Sequence, residues 1–197
     1  MDGSDNKEKQ SIKSKRVRAY FVQAAKDIIL SEGVENISVR KVADLAGYSY
    51  ATLYNYFTVL NALLLEVKAA MIGDLVEYMN ERLSEKLYEL DDIKKINRLY
   101  LSYLLDRPHV FRFFYSYRLP NEMKTDVAQG IEFSSNWQGT YKGVVMSGAI
   151  QEADVEIISK TVVYAMHGML ALYFSDAGLP KEILYQDLDD LTEYLLK

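Results

Sequence analysis

The chain has no cysteine among its 197 residues, and only two histidines, one tryptophan and three prolines. Without cysteine there is no disulfide framework, no thiolate nucleophile and no Cys-based zinc site. The histidines, His109 and His167, fall on different predicted helices, so a transition-metal site lacks ligands. The acid-rich stretches Asp91-Asp92 and Asp187 to Asp190 read as solvated helix faces. No nucleophile, phosphate loop or metal constellation accompanies them, so neither enzymatic activity nor a cofactor is expected. The N-terminus is polar from Met1 to Lys9, and no later uncharged run reaches bilayer length. A soluble cytoplasmic protein with no membrane partner is expected.

Positive charge is also scarce overall, with 23 Lys/Arg against 28 Asp/Glu and a net charge of −5. Divided by segment it is uneven. Residues 1–57 carry nine Lys/Arg and seven Asp/Glu, a net +2, and the remainder carries fourteen against twenty-one, a net −7. Lys7 to Arg18 alone holds six basic residues and one acid. That arm is either a solvated tail or part of a phosphate-binding surface.

Apolar residues recur at three- and four-residue spacing along the chain, and alternating strand-like runs are scarce, so the fold class is all-α. A first helix is predicted from about Ser11 to Ser31, with Phe21, Ala24, Ala25, Ile28 and Ile29 as its buried stripe and Gly33 as a left-handed cap. A short helix follows from Val39 to Ala46 behind Ser38, then a third from Tyr50 to Tyr56 behind Ser49. A longer helix runs from Thr58 or Val59 to about Leu87. Further helices are predicted over 91–106, 108–117, 121–147, 152–176 and 181–196. The expected division is an N-terminal arm and helix-turn-helix head over 1–57, and a larger helical domain over 58–197.

The informative stretch runs from Ile37 to Phe57. Two short helices joined by a glycine turn at Gly47 bury little alone, so the first helix must cover them. Val42, Ala43 and Ala46 face inward from one, and Leu53 and Phe57, four residues apart, from the other. The face left over presents Tyr50, Ala51, Thr52, Asn55 and Tyr56. It carries hydroxyls, an amide, ring edges and a methyl but no charge, which suits base edges in the DNA major groove. Arg40 is placed to reach a phosphate or a base.

Residues from about Ala19 to Leu64 resemble the DNA-binding head of TetR-type transcriptional regulators. The resemblance is carried by Ala24-Ala25 and Ile28 before Gly33, Ser38-Val-Arg40, Val42-Ala43, Ala46-Gly47, Ser49, Thr52-Leu53-Tyr54 and Tyr56-Phe57. It implies that Ser38 and Arg40 contact DNA from the second helix. Ser49, Tyr50, Ala51 and Thr52 would open the recognition helix, and Tyr54, Asn55 and Tyr56 would hold phosphates. The chain departs from the pattern at Thr58 and Leu60, where the family usually has basic residues, and at Tyr50, where it often has a small or basic one.

The larger domain is rich in aromatic side chains and methionine, most of which must be core. By analogy with the family, an unidentified small apolar or aromatic ligand is expected among Tyr103, Phe114, Trp137, Tyr141 and His167. For His167 a hydrogen-bonded core role stands beside ligand contact. The helix over 157–174 is apolar on more than one side. It is buried either within one chain or in a homodimer through Ala165, Gly168, Met169, Leu172, Leu188 and Leu191. The resulting expectation is a homodimeric repressor that binds palindromic operator DNA and is released by ligand. The alternative is a helical protein–protein interaction module with a degenerate DNA-binding head.

Overall fold

A computed structural model describes residues 2–83, 89–118, 141, 144–146, 148, 150–175 and 178–197. The predicted helix over 121–147 lies almost wholly outside them. The described residues are helical, in the order α1 (Asp2–Glu32), a 3-10 turn (Val34–Asn36), α2 (Val39–Ala46), α3 (Tyr50–Tyr54), α4 (Leu60–Asn80), α5 (Leu90–Leu105), α6 (Pro108–Tyr115), a 3-10 turn (Glu152–Asp154), α7 (Val155–Tyr173) and α8 (Lys181–Leu195). They form two compact units. The first comprises residues 1–73 and 109–125, and the second residues 74–108 and 126–197.

In the first unit α1 begins at Asp2 rather than Ser11, so the basic arm is helical. Val17, Phe21, Ala24, Ala25, Ile28 and Ile29 are buried at helical spacing. Val42 and Ala43 of α2, Leu53 of α3, Phe57, and Leu63, Leu64 and Val67 of α4 are fully buried as well, and the Phe21 and Phe57 rings meet edge to face at 6.4 Å.

Two glycines set the turns. Gly47 ends α2 in the left-handed region (φ 76°, ψ 27°), and the Tyr48 N–H reaches back 2.9 Å to the Ala43 carbonyl. Gly33, expected as a left-handed cap too, differs. Its φ of 89° comes with ψ of 159°, an extended conformation that only glycine adopts readily. A Cβ there would stand 2.7 Å from Glu35 Oε2 and 3.0 Å from His109 Nδ1. Arg112 of α6 stands 4.0 Å from Glu35 of the turn, and α6 is tied to α4 by Lys68 Nζ, which donates to the Phe114 carbonyl at 3.1 Å.

In the second unit α5, α7 and α8 pack together. Ile93, Ile96, Tyr100, Leu101 and Leu104 of α5 are buried, as are Ile158, Val162, Val163, Met166 and Leu170 of α7 and Leu184 and Leu188 of α8. Asp92 lies in the first turn of α5, its carboxylate accepting from the Glu89 N–H at 3.1 Å. Of the acids read as a solvated face of α8, Asp187 and Asp190 are exposed, and Asp189 alone departs from that reading. Asp189 accepts from Arg98 Nε at 2.8 Å, and Glu193 from Lys94 at 2.9 Å, so one edge of α8 is matched in charge to α5. Residues Glu152–Tyr173 are long and apolar enough, by length and composition, to cross a membrane. In the fold their buried stripe from Val155 to Leu170 supplies core to the second unit.

Gly33→Ala is expected to destabilise the first unit by about 1–3 kcal/mol, because the alanine carries backbone strain in a conformation reserved for glycine. The crowding at Glu35 and His109 adds to it. Urea unfolding of the variant beside the wild type measures the difference.

Candidate nucleic-acid interface

The exposed face of α2 and α3 is built by caps and by one ion pair. Ser38 caps α2, its Oγ accepting from the Lys41 N–H at 3.2 Å. Ser49 caps α3, its Oγ accepting from the Thr52 N–H at 3.1 Å and lying 2.9 Å from the Thr52 hydroxyl. Each cap satisfies a backbone donor that the short helix leaves open. Behind α3, Arg18 of α1 joins three elements. Its Nε is 2.9 Å from both carboxylate oxygens of Glu66 on α4, its Nη1 donates to the Tyr56 carbonyl at 2.8 Å, and its guanidinium lies 4.3 Å from the Phe57 ring centroid. Arg18 has a raised pKa, chiefly from the Glu66 hydrogen bond.

With Leu53 and Phe57 buried, the side chains singled out from sequence distribute as follows. Tyr50 is 63 % exposed and Tyr54 48 % exposed. Ser38, Arg40, Ser49, Ala51 and Asn55 are exposed, and Thr52 and Tyr56 are half-buried. Asn55 is the C-cap of α3, which ends at Tyr54 rather than Tyr56. The Tyr56 ring packs 5.9 Å from Phe21, which limits it to an edge role. Thr58 is exposed and Leu60 half-buried, so no cation stands where the family pattern has one. Lys13, Lys15 and Arg16 are exposed along α1, whereas Lys41 is ion-paired with Glu32. Sequence reasoning passed over Tyr48 and Tyr20, whose rings stack at 6.4 Å, with Tyr48 also 5.3 Å from Phe21. Tyr20 lies outside the two short helices, and only its helical register relative to Phe21 hinted at it.

The candidate ligand residues fall in both units. Phe114 is in the first, held against Phe113 and Lys68. Tyr103, Tyr141 and His167 are in the second, and Trp137 lies outside the described residues. Asn97 and Tyr100, three residues apart on α5, are neighbours on one face. Tyr141 lies beside Asn97, and the Tyr100 hydroxyl is 3.0 Å from His167 Nε2. Tyr103, one turn further, packs 5.1 Å from Tyr78 under the Arg107 guanidinium. Asn97, missed from the sequence, is fully buried and donates to Thr192 Oγ1 at 3.0 Å, which in turn donates to the Leu188 carbonyl at 2.7 Å. Asn97 Oδ1 and the Tyr141 hydroxyl have no partner that meets hydrogen-bond geometry. Burial pushes the Tyr141 phenol well up, and proximity to the Asn97 amide offsets only part of that. Burial also lowers His167 to about 4. Among the described residues the buried polar ones are Asn97, Ser159 and Thr192, none charged. An open groove between α5 and α8 (about 460 Å³) is charged instead, lined by Lys94, Lys95, Arg98 and Asp189 among others.

Of the residues considered for a dimer, Gly168 and Leu172 are exposed, and Ala165, Met169 and Leu191 are half-buried. Leu188 is fully buried, because Leu184, Leu188 and Thr192 form the inward stripe of α8 at four-residue spacing. It packs inside its own unit and is not offered to a second copy. Ile157 (63 % exposed) and Tyr164 (68 %) on α7, and Tyr194 (80 %) on α8, are the larger exposed apolar side chains there.

These features define a helix-turn-helix head of the DNA-binding class in an all-α chain. Residues 21–67 match the model of the tetR family of bacterial regulatory proteins. No curated protein matches the chain. Solved structures share its fold at low identity. A protein assigned to the TetR family from Mesorhizobium loti MAFF303099 is 20 % identical with a TM-score of 0.70, covering 93 % of this chain and 96 % of that one. RolR, solved with resorcinol, is 15 % identical with a TM-score of 0.69 and coverages of 94 % and 95 %. FadR of Thermus thermophilus, a TetR-family repressor solved with lauroyl-CoA, is 16 % identical with a TM-score of 0.67 and coverages of 91 % and 93 %.

The His167 shift has a sign that can be measured. Its folded pKa of about 4 lies below the ordinary 6.5, so the unfolded chain takes up the proton first as pH falls. The stability contributed by neutral His167 is complete above pH 6.5 and is lost between about pH 6.5 and pH 4, by up to about 3 kcal/mol. Urea midpoints across that range should fall for the wild type and fall less for His167→Gln.

Proposed function

We propose that the protein is a non-enzymatic, cytoplasmic transcriptional repressor that binds palindromic operator DNA as a homodimer and is released by a small ligand. The observation that carries this reading is the uncharged face of Tyr50, Ala51, Thr52 and Tyr54, held outward because Leu53 and Phe57 occupy the core. Ser38, Arg40, Ser49, Asn55 and Tyr56 complete the proposed contact set around it. The tetR match over the same residues supports it. In a two-fold dimer the two recognition helices would enter successive major grooves, with half-sites about 34 Å apart or slightly more.

A homodimer through α7 and α8 is supported by the exposed row Ile157, Tyr164, Gly168 and Leu172, which repeats on one side of α7, and by Tyr194. The ligand would enter the second unit near Tyr103, Tyr141 and His167. The described residues buried there carry no charge, which suits an apolar or aromatic molecule with an uncharged polar group. RolR and FadR, which share the fold, were solved with resorcinol and lauroyl-CoA. Ligand that binds the DNA-incompetent arrangement more tightly would shift the population and free the operator.

Selection from genomic fragments at low salt should recover a palindromic site. Recovery of none would turn the reading toward an interaction module. Replacing Lys13, Lys15 and Arg16 with glutamine should weaken binding to all duplexes alike. It should also lower the salt-dependence slope by up to about 2.7, or about 0.9 for each phosphate no longer neutralised. For the ligand, neutral phenols such as resorcinol should be titrated against the protein–operator complex. Tyr141→Phe should raise the concentration needed for release about tenfold, as expected when a buried hydrogen bond of about 1.4 kcal/mol is removed.

A further inference from the structure

The recognition helix has an unusual inventory for a reader of sequence. Its five residues, Tyr50–Tyr54, include no charged side chain and no side-chain amide. The groups that grip guanine (Arg, Lys) and adenine (Asn, Gln) in bidentate fashion are therefore missing from the element. Asn55 stands at the C-cap, past the end of the helix. The Thr52 hydroxyl is engaged with Ser49 Oγ at 2.9 Å. Of the nearby cations, two are already engaged. Arg18 is committed to Glu66 and the Tyr56 carbonyl, and Lys41 to Glu32. Arg40 is exposed, but on α2.

What α3 does offer is apolar. Leu53 is fully buried, which fixes the rotation of the helix about its axis. Tyr54 is then one turn from both Tyr50 and Ala51, so the three form one outward patch of two rings and a methyl. In the major groove the base feature that pairs with such a patch is the C5 methyl of thymine.

We propose that this protein reads its operator half-site chiefly by packing Tyr50 and Ala51 against thymine methyl groups. The base pairs that face α3 are then A·T-rich, with two or more thymines whose methyls are buried in the complex. This inference rests on the reading of the chain as a DNA-binding regulator. Specificity comes from shape and dehydration of methyls, and little of it comes from hydrogen bonds made by α3.

Deoxyuridine tests this directly, because it keeps the pairing and the O4 acceptor of thymine and lacks only the methyl. The full-length protein is bound to its selected operator, and to duplexes in which each thymine in turn is replaced. Two or more positions per half-site should weaken binding about fourfold each, equivalent to about 0.8 kcal/mol for a buried carbon group. Uracil outside the half-sites should have no effect. Tyr50→Phe should keep the penalties, and Ala51→Gly should shrink at least one. If that variant does not fold, the wild-type uracil series decides alone. Selected half-sites with no uracil-sensitive thymine overturn the inference and leave the DNA-binding reading intact. Failure to select any specific duplex overturns both.

Discussion

The Arg18 guanidinium is the point on which three segments of the first unit converge. It takes the Glu66 carboxylate from α4, the Tyr56 carbonyl from the end of the helix-turn-helix, and the face of Phe57 from the core. The pair is partly open to water, with side chains 40 % and 39 % exposed, so its net stabilisation is about 0–1 kcal/mol. Its importance is geometric. Three segments distant in sequence converge on one planar group, and a fork of fixed shape leaves little freedom in where α3 ends. Burial of Phe21, Leu53 and Phe57 supplies the hydrophobic contribution beside it.

The same residue shows where sequence reading stops. Arg18 closes a basic run, and in a linear view its charge belongs with Lys13, Lys15 and Arg16. Only the fold brings it to Glu66, 48 residues away. Local chemistry is legible: Ser38 and Ser49 before short apolar runs, Gly47 at a helix stop, and the spacing of Phe21 to Ile29 each have causes within a few residues. Tyr54 is harder, since tyrosine fits core and surface equally, and its 48 % exposure follows from where Leu53 points. Leu188 and Asp189 mislead for a similar reason. Which side of α8 faces inward is settled by Asn97, Arg98 and Lys94 on α5, whose partners are more than ninety residues off.

Among its described residues, the second unit pairs an uncharged buried set with a charged rim. Arg98 and Lys94 meet acids at the surface, while the buried polar side chains are an amide and two hydroxyls. Burial of charge is costly without a partner, and here the cost is avoided by keeping His167 unprotonated and the Tyr141 phenol intact. Among the described residues of this unit, Asn97 Oδ1 and the Tyr141 hydroxyl remain unsatisfied. Buried groups of that kind usually find a water or a polar guest.

Five residues are far too few for a helix to persist alone, where about 12–15 are needed even for good formers. The order of α3 is therefore borrowed from Leu53 and Phe57 beneath it. The amide of Leu53 bonds to the Ser49 carbonyl, and that of Phe57 to the Leu53 carbonyl. These hydrogens cannot exchange with solvent by fraying of α3 alone, since the side chains that anchor it must leave the core as well. Their exchange rates thus report the opening of the whole helix-turn-helix, a cooperative unit whose protection extends to a surface that looks, by exposure, as though it should be labile.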